Sequence, residues 1–166
     1  MKNFEESRLQ QQCVAWFRAQ YPQYSMLLTH PINEGSRNTR VSGAIHKAEG
    51  TVAGVADLLF FLPSVALITL EDGKQVMMMY HGLFIELKTE KGKQSQEQKD
   101  FQKMVEASDY KYVVIRSFDD FKECITDWIF NTPLRIKEQV CDTHSAIKKA
   151  SEERELEHFK KVIGKK

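Results

Sequence analysis

The stretch HGLFIELK, residues 81–88, sets two charged side chains at the end of an apolar run. Side chains alternate faces along a strand, so Glu86 and Lys88 project to one side while Leu87 points to the other, into a core. Leu83, Phe84 and Ile85 mark the strand as central and buried, where glutamate and lysine rarely sit without a purpose. An isolated ExK pair also fits a surface ion pair at a strand end, so this stretch decides the fold before it decides the chemistry.

A second apolar segment lies upstream, GVADLLFF at 54–61, with Asp57 near its start and Pro63 just beyond it. A carboxylate inside a hydrophobic strand is desolvated and needs a cation or hydrogen-bond donors to remain charged. Two adjacent strands would bring Asp57 and Glu86 together as hard oxygen ligands suited to magnesium. Lys88 beside them would stabilise charge on a phosphate or hold an attacking water.

The rest of the chain supplies the layers. Leu9, Cys13, Trp16 and Phe17 form one stripe of an amphipathic helix over about residues 4–20, which Pro22 ends. Glu6 points along that same stripe, with Gln10 close by. It fits a core-facing carboxylate in want of a counter-ion, and equally an acid near a helix N-terminus, worth about 0.3–1 kcal/mol. Residues 24–30 (YSMLLTH) read as a short strand, and 31–43 (PINEGSRNTRVSG) as a polar loop entering a short helix near 42–49. Asp72-Gly73 between the segments 65–70 and 75–80 predicts a hairpin. Ser95-x-x-Gln98 has the pattern of a capping box opening a helix to about residue 108, a role that by itself accounts for Gln98. A strand over 110–116 follows, and Ser117-x-x-Asp120 caps a helix whose apolar face is Phe118, Phe121, Ile125, Trp128 and Ile129. The order of elements predicts an α/β sandwich over 1–130. Residues 131–166, rich in Lys and Glu, form an extension that reads as an exposed helix, a partner-binding arm or a partly disordered tail.

Composition narrows the class. With 166 residues, 42% hydrophobic and 28% charged, the chain can bury a core of its own and is not a disordered composition. No apolar run approaches a membrane span, and the charged, glutamine-rich opening lacks a secretory signal, which predicts an intracellular location. Cys13, Cys124 and Cys141 form no CxxC pair and have no histidine at zinc spacing, so reduced thiols are expected. A net charge of +1 does not announce a nucleic-acid binder, yet phosphate binding needs only a local basic surface.

Several spaced segments agree with one family. Residues 50–61 (GTVAGVADLLFF), 81–88 (HGLFIELK) and 92–101 (GKQSQEQKDF) resemble the VRR-NUC branch of the PD-(D/E)XK nucleases. Residues 112–117 (YVVIRS) and the opening helix segment ESRLQQQCVAWF continue the match over roughly residues 5–129. The resemblance implies a restriction-endonuclease-like core, a central mixed sheet flanked by helices, and metal-dependent hydrolysis of DNA phosphodiesters. It implies Asp57 and Glu86 as ligands of Mg2+, with Mn2+ able to substitute, joined by Glu6 and the Leu87 carbonyl. Lys88 would be the catalytic lysine, with Gln98 after the ExK strand. Ala56 stands where the family usually has proline, a backbone-shaping position that ligates nothing.

Arg37, Arg40, Lys47, Lys91 and Lys93 flank these segments and are candidates for gripping the DNA backbone, against a reading of each as ordinary solvated surface. His30 and His46 are candidate polar contacts near the site. Small stand-alone relatives are often homodimers acting on branched DNA such as four-way junctions, in repair or recombination, and that is the expectation here. A non-catalytic DNA-binding module, a sequence-specific restriction-type endonuclease, and an interaction arm in the tail are the competing expectations.

Overall fold

The structure, a computed structural model, describes residues 4–31 and 48–163 of the chain. The predicted stripe folds as helix α1 (Phe4–Gln20), with Cys13 and Phe17 fully buried. Residues 24–30 depart from expectation: Pro22–Leu27 is a 3-10 helix, and only β1 (Leu28–Thr29) is extended. Pro22 presets φ for a helical turn at its first position, and the Tyr24 N–H donates to the Tyr21 carbonyl at 2.9 Å. The loop expected over 31–43 and the helix expected near 42–49 lie, but for their outermost residues, outside the described residues.

The segment 55–62 contributes a short strand, β2 (Leu58–Phe60). The predicted hairpin is β3 (Ser64–Thr69) with β4 (Gln75–Tyr80), and Gly73 takes φ 80° in the turn. The ExK strand is β5 (Leu83–Leu87), every residue of it buried. Then come α2 (Gln96–Glu106), β6 (Lys111–Ile115), α3 (Phe118–Phe130) and α4 (Leu134–Ile163).

The main sheet has the order β1-β2-β5-β6, antiparallel except for the parallel pair β5–β6, which α2 connects. Alternation along β5 separates two apolar layers. Leu83, Ile85 and Leu87 join Leu58 and Phe60 against Cys13 and Phe17 of α1 and Phe121 and Ile125 of α3. Burying each such side chain contributes about 1.5–3 kcal/mol. On the opposite face Phe84, Ala56 and Tyr112 form a smaller cluster under Phe101 and Val105 of α2. The chain is thus a mixed sheet flanked by helices and followed by a C-terminal helix, the architecture expected.

Two peripheral elements are tied to this core. The Trp128 indole donates to the Leu62 carbonyl at 2.8 Å, and the Ser64 hydroxyl to the Trp128 carbonyl at 2.8 Å, fixing the hairpin base on α3. Within the Lys/Glu-rich extension Leu134–Ile163 is one continuous helix, whose Ile136 and Val140 pack against the main core. Farther along, Ile147 and Leu156 are exposed. No helix among the described residues is long and apolar enough to cross a membrane.

Candidate active site

Sheet register brings the two predicted carboxylates together. Leu58 of β2 pairs with Ile85 of β5, so the same antiparallel register continued by one residue sets Asp57 opposite Glu86. The Asp57 Oδ2 accepts the Leu87 N–H at 2.8 Å, which locks the carboxylate against the end of β5. His30 Nδ1 lies 2.7 Å from the Asp57 carbonyl; a carbonyl only accepts, so the ring carries its proton on Nδ1. Gly54 lets this segment lie flush on the start of α2. With φ +81°, a Cβ there would stand 2.4 Å from the Glu97 carbonyl carbon and oxygen and 2.7 Å from the Gln98 nitrogen.

Glu86 is the centre of the cluster, only 1% exposed. Its Oε1 meets the Lys88 ammonium at 2.5 Å and the Gln98 side-chain amide at 2.5 Å, and its Oε2 accepts the Tyr112 hydroxyl at 3.2 Å. Burial pushes the Glu86 carboxyl above its ordinary range, and the nearby charge of Asp57 adds to the effect, while Lys88 and Tyr112 oppose it. Burial likewise drives the Tyr112 phenol far up, with Glu86 contributing. The Tyr112 hydroxyl therefore keeps its proton and donates to Glu86 at neutral pH.

Gln98 serves two purposes at once. The Ser95 N–H donates to Gln98 Oε1 at 2.9 Å, and the Gln98 N–H to Ser95 Oγ at 3.3 Å, completing the capping box. The other end of the same amide holds Glu86. The capping bonds and the contact with Glu86 are made together in one rotamer.

Glu6, half-buried on α1, accepts the Thr89 N–H at 3.1 Å, so it reaches the turn that follows Lys88. Lys91 and Lys93 are exposed on that turn and just after it. Arg37, Arg40, His46 and Lys47 lie outside the described residues. Tyr112 and Arg116 were not singled out by the sequence. A tyrosine within an otherwise aliphatic strand parallel to the ExK strand was the available signal for the first.

The donor set can be compared with what a divalent cation needs. Among the described residues no group of three or more His, Cys, Asp or Glu side chains could hold a metal ion. What the fold provides is a pair, Asp57 and Glu86, with the Leu87 peptide between them. Mg2+ is commonly held by one or two carboxylates and completes its shell with water and substrate phosphate, so this pair suits it. Burial is the main cause that raises Glu86, and the lesser contribution from the charge of Asp57 is a repulsion that a cation between the two would relieve.

No family model and no curated protein matches the sequence. A solved structure described as "VRR_NUC domain protein" matches with a TM-score of 0.58 and 22% identity, covering 79% of this chain and 93% of that chain. At this identity the likeness establishes architecture, and it bears out the resemblance read from the spaced segments at that level. The chain has the fold of a VRR_NUC domain protein.

Proposed function

We propose that the chain is a metal-dependent endodeoxyribonuclease that hydrolyses phosphodiester bonds in branched DNA such as four-way junctions. The observation that carries this reading is the Glu86 carboxylate. It is buried, faces Asp57 across the sheet, and is contacted at once by Lys88, Gln98 and Tyr112. An ordinary core does not gather so many polar groups on one carboxylate.

Asp57 and Glu86 would hold Mg2+ or Mn2+, with the Leu87 carbonyl beside them and Glu6 closing the same end of the strand. The ion when bound supplies positive charge that polarises the scissile phosphate and acidifies a water. Lys88 offsets the negative charge that develops on the phosphate oxygens as water attacks, from a position fixed before DNA arrives. Gln98 and Tyr112 keep Glu86 in one rotamer. Lys91 and Lys93, with Arg37, Arg40 and Lys47, contribute charge for the DNA backbone, which positions a substrate without reading its sequence.

A homodimer in an intracellular repair or recombination role fits paired cuts on a symmetric junction. The hairpin supports this, since Leu67 and Met77 pair across it and are 62% and 75% exposed. The test is cleavage of a labelled four-way junction and its matching linear duplex, in Mg2+ or EDTA, by the wild type and Lys88→Ala. Magnesium-dependent cutting of the junction in preference to duplex, lost in the variant, is the expected result. Binding without cutting of either DNA would overturn it in favour of a recognition module, and discrete bands from linear plasmid would favour a restriction-type enzyme.

A further inference from the structure

Arg116 follows the last residue of β6, and its Nη1 donates to three carbonyl oxygens of a single turn: Thr89 at 2.6 Å, Gly92 at 2.9 Å and Glu90 at 3.2 Å. An exposed arginine ordinarily turns its fork to a carboxylate, a phosphate or water. Here one nitrogen gathers the main chain of the segment that leaves the ExK strand. The turn is closed by the Gly92 N–H on the Thr89 carbonyl at 3.0 Å. Glu6 also accepts the Thr89 N–H at 3.1 Å.

This turn lies on the stem of Lys88. A Cβ built on Gly92 would stand 3.3 Å from both Cβ and Cδ of Lys88 and 3.0 Å from Thr89 Oγ1. The backbone at Gly92 is therefore a wall for the lysine side chain, which is 12% exposed and ends 2.5 Å from Glu86. A lysine stem has four flexible carbons and holds no direction unless something packs along it. The wall in turn has a flexible glycine in it and keeps its place through the carbonyls that Arg116 gathers.

We infer that Arg116 is a positioning residue that holds the Thr89–Gly92 turn against Lys88 and thereby keeps the Lys88 ammonium on Glu86. It touches neither DNA nor the reacting atoms in this role. Because Lys91 belongs to the same turn and Lys93 follows it, the clamp also sets where those two cations point. The consequence for cleavage rests on the nuclease reading above; the consequence for Lys88 itself does not.

Two measurements on the full chain with Arg116→Gln separate these levels. The first is the acylation rate of individual lysines in the folded protein without DNA, read by peptide mass spectrometry. Lys88 is expected to react about tenfold faster in the variant, the scale of one lost charge-assisted hydrogen bond, while Lys74 stays unchanged. An unchanged Lys88 rate overturns the clamp, whether or not the protein cuts DNA.

The second is single-turnover cleavage together with DNA affinity. The variant is expected to cut about 10- to 100-fold more slowly, as misplaced catalytic groups do, with affinity kept. In a Lys88→Met background the same substitution should cost little more, because Arg116 acts through Lys88. Full additivity with Lys88→Met overturns the inference. So does weakened binding whose salt dependence falls by about 0.9 per decade, the mark of a lost phosphate contact. If the wild type does not cut, the nuclease reading fails by itself, and the acylation result still decides the clamp.

Discussion

Replacing Gly54 by alanine should damage the protein through two separable effects. Gly54 has φ +81°, a conformation that costs an L-residue about 1–2 kcal/mol. Its added Cβ would also meet Glu97 backbone atoms at 2.4 Å and the Gln98 nitrogen at 2.7 Å. Carbon contacts relax near 3.5 Å, so the start of α2 must retreat by about 1 Å. Such overpacking costs about 1–3 kcal/mol more. Gly50 is the internal control, with φ +94° and nothing within 4 Å of its Cβ. Gly50→Ala should therefore lose only the conformational part, and Gly54→Ala about 2–5 kcal/mol in all. Urea unfolding of both variants and the wild type, with equal slopes, gives the difference directly. Because the retreating backbone carries Gln98, cleavage by Gly54→Ala should fall by about 100-fold. Equal destabilisation by the two substitutions would refute the contact between the Asp57 segment and α2.

Three further outcomes follow from the site and the tail. Glu86 has a raised carboxyl in the folded chain, so the native state binds more protons than the unfolded state, and its contribution to stability is lost as pH rises through the folded value. In EDTA, Glu86→Gln should accordingly gain stability relative to wild type as pH increases above the usual carboxylate range; a constant or falling difference would contradict the burial. Tyr112→Phe removes the 3.2 Å hydrogen bond to Glu86, which should cost about 0.5–1.5 kcal/mol in unfolding and about 10- to 100-fold in Mn2+ affinity by calorimetry. Truncation after Ile147 removes helix whose described side chains are almost all exposed and should change stability by no more than about 0.5 kcal/mol, whereas truncation after Pro133 also removes Ile136 and Val140 from the core and should cost several-fold more.

The elements legible in the sequence were those whose signal is local. The ExK strand, the capping box at Ser95, the N-cap at Ser117 and the α1 stripe are each written within a few residues, and each formed as read. The meeting of Asp57 and Glu86 was legible for a different reason. Both are carboxylates in apolar runs, and burying such charges singly is costly, so each needed company. The 3-10 helix at Pro22–Leu27 was not legible, because YSMLLTH has strand-like apolar content and only the geometry set by Pro22 and the buried Tyr24 turns it. Tyr112 and Arg116 depend on which strand lies beside β5. That neighbour is fixed by tertiary packing, so the tyrosine in the strand is the one local signal that Tyr112 faces a polar group, and nothing within 110–116 reveals that Arg116 gathers the turn after Lys88.

The central claim is that Asp57, Glu86 and Lys88 form a hydrolytic centre. Its most direct test is the single-turnover rate of DNA cleavage by wild type, Asp57→Asn and Lys88→Met in Mg2+ and in EDTA. DNA binding by each is measured in EDTA by anisotropy. The account predicts cutting by the wild type in Mg2+ alone, a loss of at least about 100-fold in both variants, and near-equal binding by all three. Equal cutting by wild type and Lys88→Met, or cutting that persists undiminished in EDTA, would contradict it.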